Sequence, residues 1–217
     1  MENIAALLSI ATASFVLALS GALMPGPLLT VTIGEAARRG ALAGPLLITG
    51  HVLLELILII AIIVGLGPYL EIPLVIGIIG VIGGSILLWM GTGMMRAAKS
   101  ISLKRNYKVD KHGLEQNPLI LGILASISNP YWTIWWITIG LGYMATARAS
   151  GTAGLIAFFL GHIAADYCWY ALVAISISRS RNIIPEKGYQ LLIQGCGIFL
   201  IGFGLWFWLS SYKYLTI

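Results

Sequence analysis

The sequence predicts an all-α integral membrane protein with six transmembrane helices, arranged as two inverted three-helix repeats with proline-broken helices 1 and 4. Of its 217 residues, 59% are hydrophobic and only 10% are charged, and the mean hydropathy is +0.93. A soluble globular domain carries roughly 25% charged residues. Three sets of landmarks that recur in both halves of the chain then predict the internal repeat.

Six segments are apolar over about twenty residues, which is the length that a helix needs to cross a hydrocarbon core of roughly 30 Å. We place these spans at residues 4–33, 43–66, 73–95, 119–145, 152–178 and 190–211. A chain divided in this way has no room for a soluble domain.

A polar stretch separates the first three spans from the last three. We therefore predict a first three-helix repeat at 1–97, a cytoplasmic linker at 98–117 and a second repeat at 118–217. Because each half holds an odd number of spans, the second half enters the membrane upside down relative to the first.

The three landmarks occur in the same order in both halves. The first span of each half contains a proline break, the second carries a Gly-His-x-x-x-acid motif, and the third is rich in glycine and ends near tryptophan, at residues 83–89 and 202–206. Inverted repeats with broken helices and a midplane site are typical of secondary transporters.

The basic residues predict the orientation. Two lie in the first loop, six in or beside the third and three in the fifth, which together make eleven of the thirteen. The positive-inside rule then makes these loops cytoplasmic and both termini extracytoplasmic. The net charge of +5 is a topology signal, and we predict no nucleic-acid partner.

The second span of each half carries the repeated motif, Gly50-His51-x-x-x-Glu55 and Gly161-His162-x-x-x-Asp166. Residues four apart share a helix face, so each histidine lies beside its acid. A carboxylate in the bilayer core is costly and needs a partner or a task. We interpret His51, Glu55, His162 and Asp166 as proton-coupling residues, with structural hydrogen-bonded pairs as the alternative.

The two proline breaks are the predicted substrate site. Proline removes a backbone donor and clashes with the preceding turn, which frees polar backbone groups at membrane depth. Asn129-Pro130 has the chemistry of an N-cap followed by proline at the first helical position, and helix N-termini attract anions. The predicted substrate-binding residues are Pro25, Gly26, Pro27, Asn129, Pro130, Glu55, Asp166, Trp132 and Trp136.

Trp132 and Trp136 lie four residues apart, directly after the second break. Their ring faces would suit a bound cation, and packing against neighbouring helices is the alternative.

Gly80-x-x-x-Gly84 permits close helix contact within the bundle or between subunits. The motif is therefore compatible with a homo-oligomer.

The chain resembles the LysE/RhtB family of bacterial and archaeal amino-acid exporters over nearly its full length. The matching features are Pro25-Gly26-Pro27, the turn at 37–40, the Gly50 helix, the run from Gly84 to Gly91, Asn129-Pro130 and the glycine-rich last span. The resemblance implies a multi-pass prokaryotic cell-membrane protein that exports amino acids or related small solutes with an ion gradient. The family often has a polar residue, frequently Asp, after Pro-Gly-Pro, whereas this chain has Leu28.

We predict a proton-coupled exporter that works by alternating access, with a small-molecule substrate, no cofactor and no catalytic residue. Two alternatives differ in kind. A divalent metal-ion exporter would use both histidines and both acids as ligands. A membrane thiol–disulfide carrier, an enzyme, would depend on Cys168 and Cys196, which lack the Cys-x-x-Cys spacing of redox-active pairs.

Overall fold

A computed structural model of the protein describes residues 2–24, 26–65, 69, 72–98, 117–180 and 185–215. All regular secondary structure in these residues is helical. The helices are α1 (Glu2–Ala22), α2 (Pro27–Arg39), α3 (Ala43–Val64), α4 (Pro73–Ala98), α5 (Pro118–Ile127), α6 (Pro130–Trp135), a π-helical turn (Trp136–Gly140), α7 (Leu141–Arg148), α8 (Gly151–Ser180) and α9 (Glu186–Leu215).

Five of these helices are long and apolar enough to cross a membrane, namely α1, α3, α4, α8 and α9. The predicted all-helical membrane architecture is therefore confirmed. The predicted fourth span at 119–145 is instead a succession of short segments, α5, α6, the π-helical turn and α7. Within the described residues, the fourth of the six predicted spans therefore stays a prediction.

The proline break inside the first predicted span, 4–33, is present, but the predicted end of that span is wrong. Helix α1 ends at Ala22, and α2 continues through Arg38 and Arg39, which we had placed in a loop. Both arginines form ion pairs with Glu35, one turn earlier on the same helix. Pairs at this spacing stabilise a helix, which accounts for the extension of α2 through this basic segment.

Both helix breaks occur where proline predicts them. Helix α2 begins with Pro27 after an extended Gly26, and α6 begins with Pro130 after Asn129. The Asn129 side chain accepts the N–H of Tyr131 across 3.1 Å, as an N-cap should. A Cβ added at Gly26 would lie 3.3 Å from Nδ2 of Asn129, so the two breaks are adjacent in space.

Glycines bring helices from different halves of the chain together. A Cβ at Gly50 of α3 would overlap the carbonyl oxygen of Leu119 in α5, and a Cβ at Gly161 of α8 would overlap that of Ala11 in α1. The glycine of each repeated motif therefore lies against the first helix of the opposite half.

Helices α4 and α9 pack against each other in antiparallel orientation. Added Cβ atoms at Gly84 and Gly91 would each lie 2.8 Å from the carbonyl oxygen of Gly204 and Gly197, respectively. The face that carries Gly80 and Gly84 is thus covered by α9 of the same chain. Of the two contacts that this motif predicts, the structure contains the one within the bundle.

The apolar centre of the bundle is formed by buried side chains from α1 to α5, α8 and α9, which we call the central apolar core: Ala22, Leu28, Val31, Leu47, Ile48, Leu87, Met90, Leu121, Ala125, Tyr170 and Leu200. The repeated motifs lie beside this core, where α3 approaches α8.

Candidate functional site

The two repeated motifs meet in one cluster. His51 and Glu55 on α3 lie against His162 and Asp166 on α8, and one ligand atom from each lies within 4.8 Å of the others. All four side chains are buried. We call these four residues the midplane cluster, because a site near the bilayer midplane is typical of transporters with inverted repeats.

Glu55 is the centre of the midplane cluster. Its Oε1 lies 3.2 Å from Nε2 of His51 and 3.0 Å from Nε2 of His162. The same oxygen accepts the indole N–H of Trp132 at 3.1 Å and that of Trp136 at 3.0 Å. Several donors on one oxygen are the environment in which a buried carboxylate can stay ionised.

Asp166 lies on the other side of the two histidines. Its Oδ2 is 3.6 Å from Nε2 of His51 and 3.4 Å from Nε2 of His162. Within the described part of the chain, this oxygen has no hydrogen-bond partner, and neither do Oε2 of Glu55 or Nδ1 of His162. Buried polar atoms without partners are costly and are uncommon outside functional sites.

Ser126 fixes the orientation of His51. The Ser126 hydroxyl donates to the carbonyl oxygen of Gly122 at 2.6 Å, so its oxygen accepts from Nδ1 of His51 at 2.7 Å. A neutral His51 would then present the lone pair of Nε2 to the Glu55 carboxylate. Since two acceptors repel each other, a proton or another cation must lie between them.

The charges of the midplane cluster lead to the same conclusion. With both histidines neutral and both acids ionised, the cluster carries two uncompensated negative charges in a buried site, which is strongly unfavourable. Protonation of the histidines, or of the acids, removes the imbalance. A divalent cation would do so as well, and the cluster is therefore suited to bind and release positive charge.

Aromatic rings surround the histidine of α8. The ring centroids of Trp135 and Trp136 lie 4.8 Å and 5.4 Å from that of His162. For Trp132 and Trp136 the sequence predicts either a cation over the ring faces or packing against neighbouring helices. In the structure both rings direct their N–H edges at Glu55.

A cavity of about 40 Å³ joins the midplane cluster to the helix breaks. Asn129 of the second break and Leu28, just after the first, line it together with Trp132 and Tyr170. Leu28 therefore lies in the site wall, at the position where this sequence departs from the family that it resembles.

The other predicted substrate residues surround the same region. Gly26 and Asn129 contact each other across the breaks, Pro27 is fully buried at the start of α2, and Pro130 begins α6. Pro25 lies outside the described residues. Cys168 is exposed on α8 and Cys196 is buried on α9, and both are free thiols.

Sequence reasoning did not identify Ser126 or the π-helical turn. Ser126 is a small polar residue in an otherwise apolar segment, four positions before Pro130, and that position is a signal that could have marked it. The π-helical turn at Trp136–Gly140 has no such signal, although turns of this kind are frequent at functional sites.

Known proteins provide independent information on this chain. It is 32% identical over 95 residues to the Bacillus subtilis (strain 168) protein named "Putative amino acid efflux protein YcgF", a match that covers 43% of this chain and 46% of that protein. The chain thus aligns with about half the length of this curated relative. No solved structure matches the chain.

The model of the LysE type translocator family matches residues 19–211. This range contains both helix breaks, the whole midplane cluster, all of α4 and most of α9. A translocator moves a small molecule across a membrane and catalyses no chemical conversion, which agrees with the helical membrane architecture and with the prediction of a non-enzyme. The chain belongs to the LysE type translocator family.

Proposed function

We propose that the protein exports amino acids or related small solutes, in exchange for protons, by alternating access. The observation that carries this proposal is the midplane cluster, in which two histidines and two acids from both halves of the chain meet beside two helix breaks. The name of the Bacillus subtilis relative supports amino acids as the solute class.

The arrangement of the helices supports two inverted repeats with six spans. Helix α3 of the first half packs on α5 of the second, and α8 of the second packs on α1 of the first, each through the glycine of the repeated motif. A pseudo-two-fold axis in the membrane plane would exchange these two contacts. We also propose, from the basic residues, that both termini are extracytoplasmic.

The proposed mechanism assigns separate tasks to the breaks and to the midplane cluster. The carboxylate of an amino acid would face the backbone amides at the helix starts after Pro27 and Pro130. Its ammonium group would face Glu55 or Asp166. Because the cluster is balanced by either protons or a cation, arrival of the ammonium group displaces protons, and its release on the other side allows protons to return.

Transport into proteoliposomes tests this proposal. The purified protein would be reconstituted with radiolabelled amino acids on one side and an imposed pH gradient. We expect transport that stops when the gradient is collapsed with a protonophore. Transport that is indifferent to the protonophore would contradict proton coupling, and absence of transport for every amino acid would contradict the substrate class.

Export of a divalent metal ion is a second candidate, because two imidazole nitrogens and two carboxylate oxygens within 4.8 Å of one another form a ligand set suited to a first-row transition metal. In this case the ion would be cargo. We would then expect Zn²⁺ or Mn²⁺ to raise the melting temperature of the purified protein, and the double variant His51→Ala, His162→Ala to abolish that rise. Metal transport without amino-acid transport would establish this function instead.

A further inference from the structure

A second cavity lies at the end of the bundle where α2 and α4 terminate, close to the start of α9. Its volume is about 270 Å³. Glu35, Arg38 and Arg96 line it together with apolar side chains from the same helices. We call it the basic-end cavity.

The two cavities differ in volume and therefore in the size of the ligand that each can hold. The midplane cavity, at about 40 Å³, is only a few times the roughly 10–15 Å³ that one water requires, so it fits an ion or water and is too small for an amino acid. The basic-end cavity lies just below the range of about 300–1,000 Å³ that drug-sized ligands occupy. In this conformation, the basic-end cavity is therefore large enough for a small solute.

The basic-end cavity carries charge of both signs. Among the described residues, nothing pairs with the exposed guanidinium of Arg96 in the last turn of α4. Guanidinium groups bind carboxylates through two parallel hydrogen bonds. Glu35 is buried and forms ion pairs with Arg38 at 2.9 Å and with Arg39. Its two oxygens together can accept more than two hydrogen bonds, which leaves acceptor capacity for an ammonium group.

The remaining wall is apolar and adaptable. Trp89, Met90 and Met94 of α4 face Val31 of α2 across the cavity. Methionine is flexible and fills irregular space around an apolar ligand. At Gly34 an added Cβ would lie 2.5 Å from the terminal methyl of Met94, so glycine lets α2 approach this wall. The cavity therefore suits a solute that has an apolar side chain.

We propose that the basic-end cavity is the loading site of the transporter and takes a zwitterionic amino acid with an aliphatic side chain. Arg96 binds the carboxylate, Glu35 accepts the ammonium group, and the side chain lies against Trp89, Met90 and Met94. This inference rests on the proposed export function and adds to it a site that is separate from the midplane cluster.

The central apolar core lies between the two sites. Val31, Met90 and Leu121 line the basic-end cavity, while Leu28 and Tyr170 line the midplane cavity, and all five belong to that core. A solute in the basic-end cavity therefore reaches the midplane cluster only when the core opens. Loading and coupling are two separable steps.

Binding of radiolabelled L-leucine to the purified full-length protein tests the loading site. L-leucinamide lacks the carboxylate and should fail to compete, whereas 4-methylpentanoate lacks only the ammonium group and should compete weakly. We expect Arg96→Gln to weaken L-leucine binding about tenfold or more, since a charge-assisted pair is lost. Arg179→Gln, which removes an exposed charge from the last turn of α8, is the matched control and should change binding less than about twofold.

Transport by the same variants separates this inference from the proposed function. We expect Arg96→Gln to raise the half-saturating L-leucine concentration, and Arg179→Gln to leave it within about twofold of the wild-type value. If amino acids are exported and Arg96→Gln behaves like Arg179→Gln, the loading site is wrong and the function stands. If nothing is exported, the proposed function fails, and Arg96-dependent L-leucine binding would still support the site.

The competing occupant of such a cavity is a phospholipid head group. Anionic lipid that copurifies with the wild type and is lost from Arg96→Gln, together with absence of L-leucine binding, would overturn the proposal. Mass spectrometry of lipids extracted from both proteins and from Arg179→Gln decides between these outcomes.

Discussion

Nε2 of His162 lies 3.0 Å from Oε1 of Glu55, which is closer than its 3.4 Å separation from Asp166 on its own helix. The histidine of the second half is thus bound more closely to the acid of the first half than to its sequence neighbour. This crossing makes the two motifs one unit, so substitutions within it should be non-additive.

The acids should be required for coupling. We expect Glu55→Gln and Asp166→Asn each to reduce pH-driven export to the level of protein-free liposomes, because amides keep the shape of the carboxyl groups but cannot exchange protons. The measurement is initial transport rate in proteoliposomes under an imposed pH gradient.

These variants should keep the wild-type fold, which has to be verified before a loss of transport is interpreted. Gel filtration and helical circular dichroism should match the wild type, and Glu186→Gln, which changes an acid in the first turn of α9, should transport normally. If both amide variants export normally under a pH gradient, the two histidine–acid pairs are structural hydrogen-bonded pairs and do not couple protons to transport.

The indole donors should hold Glu55 in place. Trp136→Phe keeps an aromatic ring and removes one N–H from Oε1 of Glu55. We expect the free energy of unfolding to fall by about 1.5–3 kcal/mol, the usual value for a hydrogen bond to a charged group, and transport to fall with it. Thermal and denaturant unfolding in detergent measure the first effect.

Trp208→Phe provides the comparison, because Trp208 on α9 is 47% exposed. This change should leave both stability and transport close to the wild type. Equal behaviour of the two phenylalanine variants would show that the bond from Trp136 contributes nothing to the site.

The motif glycines should tolerate no side chain. In Gly50→Ala and Gly161→Ala, the added methyl group would overlap a backbone carbonyl of the neighbouring helix. We expect each to lower the free energy of unfolding by about 1–3 kcal/mol or more. Melting temperature in detergent, followed by circular dichroism, is the measurement.

Gly195→Ala on α9 is the matched change, since nothing lies within 4 Å of an added Cβ there. Alanine favours a helix over glycine by up to about 1 kcal/mol, so this variant should be as stable as the wild type or slightly more so. If Gly50→Ala and Gly195→Ala have the same melting temperature, the close contact between α3 and α5 is refuted.

Orientation in the membrane follows from the basic residues. In a background with Cys168→Ser and Cys196→Ser, we expect Lys213→Cys to react with a membrane-impermeant maleimide in intact cells and Lys104→Cys to react only after permeabilisation. The charge distribution predicts that residue 213 lies outside the cell and residue 104 in the cytoplasm. The reverse pattern of labelling would invert the topology.

The sequence was sufficient to predict the parts of the fold that depend on local chemistry. Apolar length predicted six spans, and five long apolar helices lie at five of them. Pro27 and Asn129-Pro130 predicted both breaks. The C-terminal end of α2 could not be predicted, because two adjacent arginines are typical of a loop between membrane spans. Their ion pairs with Glu35, which stabilise the helix, are seen only in the structure.

The midplane cluster could be predicted only in part. Spacing along one helix places His51 beside Glu55, but it contains no information about which residues on another helix face them. The bonds that His162 and Trp136 form with Glu55, and the bond that His51 donates to Ser126, depend on how the helices pack. Likewise, the basic-end cavity combines residues from separate helices, so no segment of the sequence could predict it.

The glycine contacts also define the smallest unit that can form this fold. Neither half covers its own motif glycine, because Gly50 lies against Leu119 and Gly161 lies against Ala11. A chain of half this length would leave that groove open to lipid unless a second copy, inserted in the opposite orientation, covered it. Under the proposed inverted-repeat architecture, a functional ancestor with a single repeat would have been a dual-topology dimer. The two halves of the present chain, expressed as separate polypeptides, should then assemble with each other.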